Sequence, residues 1–324
     1  MKAVWYERCG PAAEVLTYGE RPTPVAGRGE VRVRLEASGV NPADVGRRAG
    51  SYRGQEFPLV IPNSDGAGII DQVGDGVTRL KAGQRVWLFN GQRNGRALGT
   101  AAEYIALAEQ LVTPLPDQLS FAQGATLGIS AMTAWCCLFA DGPIAGKTVL
   151  VTGGAGAVGN YAVQLAKWGG ARVIATVSSD EKAELARKAG ARTIVNYRAD
   201  DCAATIRAAA PEGVDRIVEV APAANAALDA EVIAPNGVVA IYAADGDLAT
   251  PVRPLMVRNV ALRFVLVYNV AAEWLTRAVD DVSAALAAGD LSELPAHRFA
   301  LDDIAAAHEA VESGAVGKVL VDID

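Results

Sequence analysis

Histidine is the scarcest functional side chain in this protein: the 324 residues contain two, His297 and His308. Cysteine is nearly as rare, and Cys9, Cys136, Cys137 and Cys202 show no C-x-x-C spacing. A structural zinc lobe needs clustered thiolates or imidazoles, and the sequence offers no such cluster. The scattered cysteines read instead as reduced, mostly buried thiols of a cytosolic protein. Runs of Lys or Arg are also missing, and the net charge is −7. That balance argues against nucleic acid or an anionic membrane surface as a partner. The most apolar windows, 128–139 and 261–267, are too short to span a bilayer. The opening MKAVWYERCG has no long apolar stretch after Lys2, so a signal peptide is not expected.

What the sequence does have is a change of texture near residue 120. Before it, short alternating segments such as EVRVRLEASGV (30–40), GAGIIDQVGDGV (66–77) and AEYIALAE (102–109) are separated by Gly and Pro. Val31, Val33 and Leu35 fall on one side of a period-2 strand, with Arg32, Arg34 and Glu36 on the other. Repeated short strands of this kind predict a β-barrel-like domain. After LSFAQGA (119–125), strand-like runs alternate with helical patterns, from KTVLVTG through RVIATV and VDRIVEV to GVVAIYA. A βαβα rhythm implies a parallel sheet with helices on both faces. The last apolar strand of that rhythm is ALRFVLV (261–267), followed by an amphipathic segment from Ala271 to Leu286. The tail HRFALDDIAAAHEAVESGAVGKVLVDID resembles neither half's interior and suits a return to the first domain.

The stretch VLVTGGAGAVGNYAVQLAKWGG (149–170) carries the first chemistry. Gly154, Gly156 and Gly159 form a complete G-x-G-x-x-G between a strand and a helix. Gly154 is expected to allow the tight turn, Gly156 the approach of a pyrophosphate, and Gly159 close helix–strand packing. The free N–H groups of the first helical turn, from Ala157, Val158 and Gly159, would then face the phosphates. The tip of the next strand is where an acid would hold a ribose 2′-hydroxyl. Ser178 and Ser179 stand there instead, with Lys182 one turn on and Tyr197-Arg198 after the following strand. Two hydroxyls and a cation suit a 2′-phosphate, so NADPH is favoured over NADH, with Asp180 still within reach of a ribose hydroxyl as the alternative. Ser179 also fits a helix cap, and the two roles are compatible.

The motifs "ASGVNPADV" (37–45), "AGSYRG" (49–54), "IPNSDGAGII" (61–70), "VGDGVTRLKAGQRVW" (73–87), "AAEYIALAE" (101–109), "GGAGAVG" (153–159) and "AHEAVESGAVGKVLV" (307–321) together resemble the medium-chain dehydrogenase/reductase superfamily. Within it the chain is most similar to the zinc-independent quinone oxidoreductases related to zeta-crystallin. The resemblance implies an α/β protein: a GroES-like β-barrel catalytic domain (1–123 with 269–324) and a Rossmann doubly wound parallel-sheet domain (124–268). The zinc branch of that superfamily places Cys where this chain has Asn41 and His where it has Ser64. Asp44 and Asp65 remain, and two isolated carboxylates do not make a zinc site, so no metal is expected.

Without a Lewis acid to stabilise an alkoxide, the easier reaction is hydride transfer from NADPH to an electron-poor acceptor. Quinones and α,β-unsaturated carbonyls fit, because conjugation delocalises the incoming charge. By resemblance, Asn41 and Asp44 lie at the nicotinamide end of the site and Tyr52 is the candidate proton donor. Further cofactor positions carried over are Thr133, Tyr242 and Lys318. Gly46, where close relatives often carry an aromatic hydroxyl, and the apolar run FVLVY, where some carry an Arg, leave the acceptor open. An enoyl-thioester or 2-alkenal reductase, for which Arg47, Arg48 and Arg53 are the available basic cluster, is the enzymatic alternative. A non-catalytic NADPH-binding sensor is the other. The strand ALRFVLV is expected either to pair edge to edge across a homodimer, as in dimers of the family, or to be an interior strand.

Overall fold

The structure, a computed structural model, describes residues 1–324 except Tyr52, Arg53, Asn94, Asp245 and Asp324. It divides into two compact units, residues 1–129 with 293–324, and residues 130–292. In chain order the first unit begins with strands β1 (Lys2–Trp5) and β2 (Thr17–Glu20) around the short helix α1 (Ala12–Val15). Then come β3 (Glu30–Val40), α2 (Pro42–Ala49), β4 (Asp65–Val73), β5 (Arg85–Leu88), β6 (Tyr104–Ala108) and β7 (Val112–Pro114). Helix α3 (Phe121–Phe139) crosses the division between the units.

The alternation read from 30–40 is the alternation observed. Val31, Val33 and Leu35 are buried, while the arginines between them are not. Each such side chain taken out of water contributes about 1.5–3 kcal/mol before conformational entropy is counted. They pack with Ile70, Val86, Leu88, Ile105 and Leu107. β3 is the organising strand: it pairs antiparallel with β4 along one edge. Along the other it pairs with β6 over residues 30–34 and then with β15 over residues 37–40. The tail expected to return does so. β14 (Ala296–Ala300) and β15 (Lys318–Asp322) flank the last helix and pair in parallel, with β15 completing the edge of β3. That return begins at Glu293, where the sequence reading placed it at residue 269.

The second unit alternates as its rhythm requires. β8 (Thr148–Val151), α4 (Ala157–Trp168), β9 (Arg172–Val177), α5 (Asp180–Ala189), β10 (Thr193–Asn196) and α6 (Cys202–Ala209) form one half. β11 (Val214–Glu219), α7 (Pro222–Val232), β12 (Ile233–Ile241), α8 (Val252–Val257), β13 (Ala261–Phe264) and α9 (Ala272–Ala287) form the other. The six strands are all parallel in the order β10-β9-β8-β11-β12-β13. The chain leaves β8 in one direction and returns at β11 to continue in the other, which makes the carboxyl ends of β8 and β11 a topological switch point. One core of this sheet is built from Leu150, Ile174, Ile206, Ile217 and Val239. The helix α3 is long and apolar enough to cross a membrane, but 94% of its most apolar window is buried inside the protein. The last strand is shorter than its apolar run suggested, ending at Phe264 rather than residue 267.

Candidate cofactor loop and buried polar cluster

The glycine turn after β8 is tight, and its left-handed residue is Gly153 at φ +67°. The sequence reading assigned that role to Gly154, which instead lies against β9: its N–H donates to the Thr176 carbonyl at 3.0 Å. A Cβ on Gly154 would come within 2.8 Å of the Ala175 Cβ. Gly159 is more constrained, because a Cβ there would lie 2.2 Å from the Gly153 carbonyl oxygen. Gly156 differs from both. It caps α4 without a side-chain hydrogen bond, and an added Cβ would meet nothing closer than 3.5 Å. Packing within the chain therefore demands glycine at 159 and crowds 154. At 156 it leaves room, as a loop that admits an outside group would.

The other residues expected at the nucleotide, Ser178, Ser179, Lys182 and Tyr197, lie at the ends of β9 and β10. The Ser179 hydroxyl accepts from the Lys182 N–H at 3.3 Å and caps α5. The Lys182 ammonium donates to the Ser178 hydroxyl at 3.1 Å, so the cation is held at the strand tip. Tyr197 is 48% exposed, with the Arg198 guanidinium 6.0 Å from its ring centre. These hydroxyls, cations and an aromatic face form a donor-rich patch beside the helix start, and among the described residues no carboxylate side chain hydrogen-bonds to Ser178 or Lys182. Thr133 is buried on α3. Tyr242 follows β12 with its N–H on the Glu219 carbonyl at 3.1 Å, and burial raises its hydroxyl pKa far above the ordinary value.

In the first unit, Asn41 and Ser64 belong to a polar cluster whose members are almost wholly enclosed. Asn41 begins α2 with Pro42 at its first position. The Asp44 carboxylate accepts from the Asn41 backbone N–H (3.0 Å) and Nδ2 (3.1 Å) on one oxygen. Its other oxygen accepts from the Ser64 hydroxyl (2.8 Å) and the Arg93 guanidinium (3.0 Å). Asp65 accepts from Asn41 Nδ2 (2.9 Å), Lys318 Nζ (3.0 Å) and the Ile129 N–H (2.8 Å). Lys318 also donates to Asn41 Oδ1 at 2.6 Å. The amide orientation of Asn41 follows from its partners, since an ammonium can only face its oxygen and carboxylates only its N–H groups. Burial pushes the Asp65 pKa up, opposed by Lys318 and Asn41. A Cβ on Gly128 would lie 2.1 Å from Asp65 Oδ1, so glycine there admits the carboxylate to the helix backbone.

Several site expectations are thereby located. Asn41, Asp44 and Lys318 meet in one network, and the Lys318 ammonium is interior, ion-paired to Asp65. Tyr52 and Arg53 lie outside the described residues. Arg47 pairs with Glu56 and Arg48 with Glu312 and the Gly10 carbonyl. Arg93 escaped the sequence reading: it sits in the glycine-rich GQRNGR, where no periodicity marks a residue as buried. Zinc does not fit this cluster. Asn41 and Ser64 both spend donors on carboxylates, and Asp44 and Asp65 are each met by a cation. No group of three or more potential His, Cys, Asp or Glu ligands occurs among the described residues.

Residues 27–117 match the family model of the alcohol dehydrogenase GroES-like domain, and residues 157–284 that of the zinc-binding dehydrogenases. A quinone oxidoreductase of Rattus norvegicus is 31% identical over 296 residues, covering 90% of this chain and 88% of its own length. Among solved structures, an NAD-dependent alcohol dehydrogenase superposes with a TM-score of 0.90 at 29% identity, with both chains fully covered. The Escherichia coli quinone oxidoreductase complexed with NADPH superposes at 0.86 with 25% identity, again over the whole of both chains.

Proposed function

The chain belongs to the zeta-crystallin-like quinone oxidoreductase family of the medium-chain dehydrogenase/reductase superfamily and is an oxidoreductase, and from that premise we propose that it is an NADPH-dependent, zinc-independent reductase of quinones or other α,β-unsaturated carbonyls. The observation that carries the cofactor choice is the Lys182 ammonium held on Ser178 at the tip of β9. A cation and hydroxyls at that place complement the doubly charged 2′-phosphate of NADPH, and a carboxylate would repel it.

Each residue has a part in this reading. The N–H groups of Ala157, Val158 and Gly159 at the start of α4 bind the pyrophosphate, where the helix dipole favours anions. Ser178, Ser179, Lys182 and Tyr197 hold the 2′-phosphate end. Thr133 and Tyr242 wall the cofactor, and Asn41 orients the nicotinamide carboxamide. Asp44, Asp65 and Lys318 fix the Asn41 amide by three hydrogen bonds. Tyr52 is the proposed proton donor to the reduced acceptor. Bound NADPH supplies the hydride; the protein supplies orientation and hydrogen bonding, which is sufficient for an acceptor that already delocalises charge. Zinc has no part in the proposal, since the residues at 41 and 64 are committed donors.

The acceptor is a small conjugated carbonyl compound. Among the described residues β13 is an edge strand paired with β12 alone, and Phe264 (70%) and Leu266 (55%) are exposed on it and just beyond. We assign that edge to a homodimer contact, and a monomeric mass in solution would refute it. The function is tested by following NADPH and NADH oxidation with benzoquinone, phenanthrenequinone and a 2-alkenal. Turnover with NADPH above NADH is expected. Failure with every acceptor would end the catalytic reading, and a preference for NADH would end the assignment of the Ser178–Lys182 patch.

A further inference from the structure

Two buried carboxylates in the first unit share one amide nitrogen, and the cation that serves one of them has no part in the function above. Asn41 Nδ2 donates to Asp44 Oδ2 at 3.1 Å and to Asp65 Oδ2 at 2.9 Å. Two hydrogen bonds to one planar nitrogen put the accepting oxygens roughly 5 Å apart. Both acids are almost wholly enclosed, so little water screens their repulsion and each needs a counter-cation. Lys318 serves Asp65. Arg93, 3% exposed, serves Asp44, and its Nη2 donates to Oδ1 at 3.0 Å.

The guanidinium is itself held. Its Nη1 donates to the Gln92 carbonyl (2.9 Å) and to Gln92 Oε1 (3.0 Å), while Gln92 Nε2 donates to the Arg96 carbonyl (3.1 Å). The loop that carries Arg93 is seated on the segment that carries Ser64. The Gly91 N–H donates to the Ser64 carbonyl and the Gly99 N–H to the Ile61 carbonyl, both at 2.9 Å. Arg93 and Ser64 together take Asp44 Oδ1, and Oδ2 is left to the backbone and side-chain N–H groups of Asn41. Both Nδ2 hydrogens of Asn41 are thus spent on carboxylates, and Lys318 occupies Oδ1. The one hydrogen-bonding position left on that amide is the second lone pair of Oδ1.

We propose that Arg93 is a positioning residue for the nicotinamide end of the cofactor: through Asp44 it holds the Asn41 amide so that Oδ1 accepts an N–H of the nicotinamide carboxamide. This rests on Asn41 meeting the carboxamide, as in the function proposed above. Without the guanidinium, Asp44 keeps the Ser64 hydroxyl but loses its counter-charge, and two carboxylates oppose each other across the amide. The amide then loses its fixed direction. Turned over, it would offer N–H groups where the carboxamide N–H needs an acceptor.

The test is the dissociation constant of NADPH and of its acetylpyridine analogue, measured by titration calorimetry on the whole protein. The acetyl group of the analogue keeps the carbonyl but has no N–H to give. Wild type, Arg93→Met, Arg93→Lys and Asn41→Ala are compared. Arg93→Met is expected to weaken NADPH about tenfold and the analogue by less than about twofold. Arg93→Lys keeps the charge but not the fork that grips Gln92 and Asp44 together, so it should weaken NADPH about threefold, again selectively. A thermal melt of each cofactor-free variant reports whether it is folded, and if the methionine variant is not, the lysine variant decides. Equal weakening of NADPH and analogue would mean that Arg93 only supports the fold, and would overturn the proposal. So would unchanged NADPH affinity in the deciding variant while Asn41→Ala loses it. If Asn41→Ala itself spares NADPH, the part given to Asn41 falls first and that of Arg93 falls with it.

Discussion

Three glycines of one motif answer to different demands, and substitution should separate them. Gly159→Ala forces a Cβ to 2.2 Å from a backbone carbonyl, where nothing can give way except the turn itself. The expected result is a loss of roughly 2–4 kcal/mol in unfolding free energy together with loss of cofactor binding, checked by denaturant melts. Gly156→Ala meets no close neighbour, so stability should change by less than about 1 kcal/mol while NADPH affinity falls about tenfold or more. Equal damage to stability from both would refute the distinction. The G-x-G-x-x-G was legible because glycine identity is written in the sequence. That the left-handed residue is Gly153 was not, since four glycines crowd the turn and φ is set by the strand it leaves. Asn41 and Asp44 were likewise readable from their motif, but their partner Arg93 comes from a loop without pattern.

The nucleotide half illustrates what elements make readable. βαβ alternation announces itself through the change from period 2 to period 3.6, and the six parallel strands followed. That alternation fixes which motifs stand at strand ends. The reading failed where local signals run out. The apolar run at 261–267 leaves the sheet after Phe264 because the chain turns into a short 3-10 segment at Val267–Asn269. At this scale the test is Lys182→Met. The lysine bonds Ser178 through its side chain, and its backbone N–H serves the Ser179 cap. Methionine keeps the backbone bond and the helix propensity, so α5 should persist. NADPH affinity should fall about tenfold, the cost of one charge-assisted contact, with NADH affinity unchanged. A parallel fall for both cofactors, measured by fluorescence titration, would mean the lysine does not meet the 2′-phosphate.

For the molecule as a whole, one buried histidine is expected to weaken the fold as pH falls. His308 on helix α10 (Ile304–Glu312) is fully buried. Its Nε2 bonds Asn63 Oδ1 at 3.1 Å, which requires the proton on Nε2 and leaves Nδ1 bare. Nδ1 has no hydrogen-bond partner among the described residues. A second proton would place a charge where nothing accepts it. Burial accordingly lowers the pKa from 6.5 to about 4, against a smaller opposing effect of Asp44. Because the folded pKa is depressed, the unfolded chain binds the proton first as pH falls. The stability is therefore fully present above pH 6.5 and is lost progressively down to about pH 4. The full loss is on the order of 3 kcal/mol for this one group. Asn63, held in the left-handed region at φ 71°, also donates to Ser38, so the imidazole is one end of a polar chain that holds the first unit's interior. His308→Gln can still donate to Asn63 Oδ1 but carries no titrating proton. Its melting temperature should fall less than that of wild type between pH 6.5 and 4, whatever its value at neutral pH. Parallel curves across that window would show that the acid limit is set by the carboxylates instead.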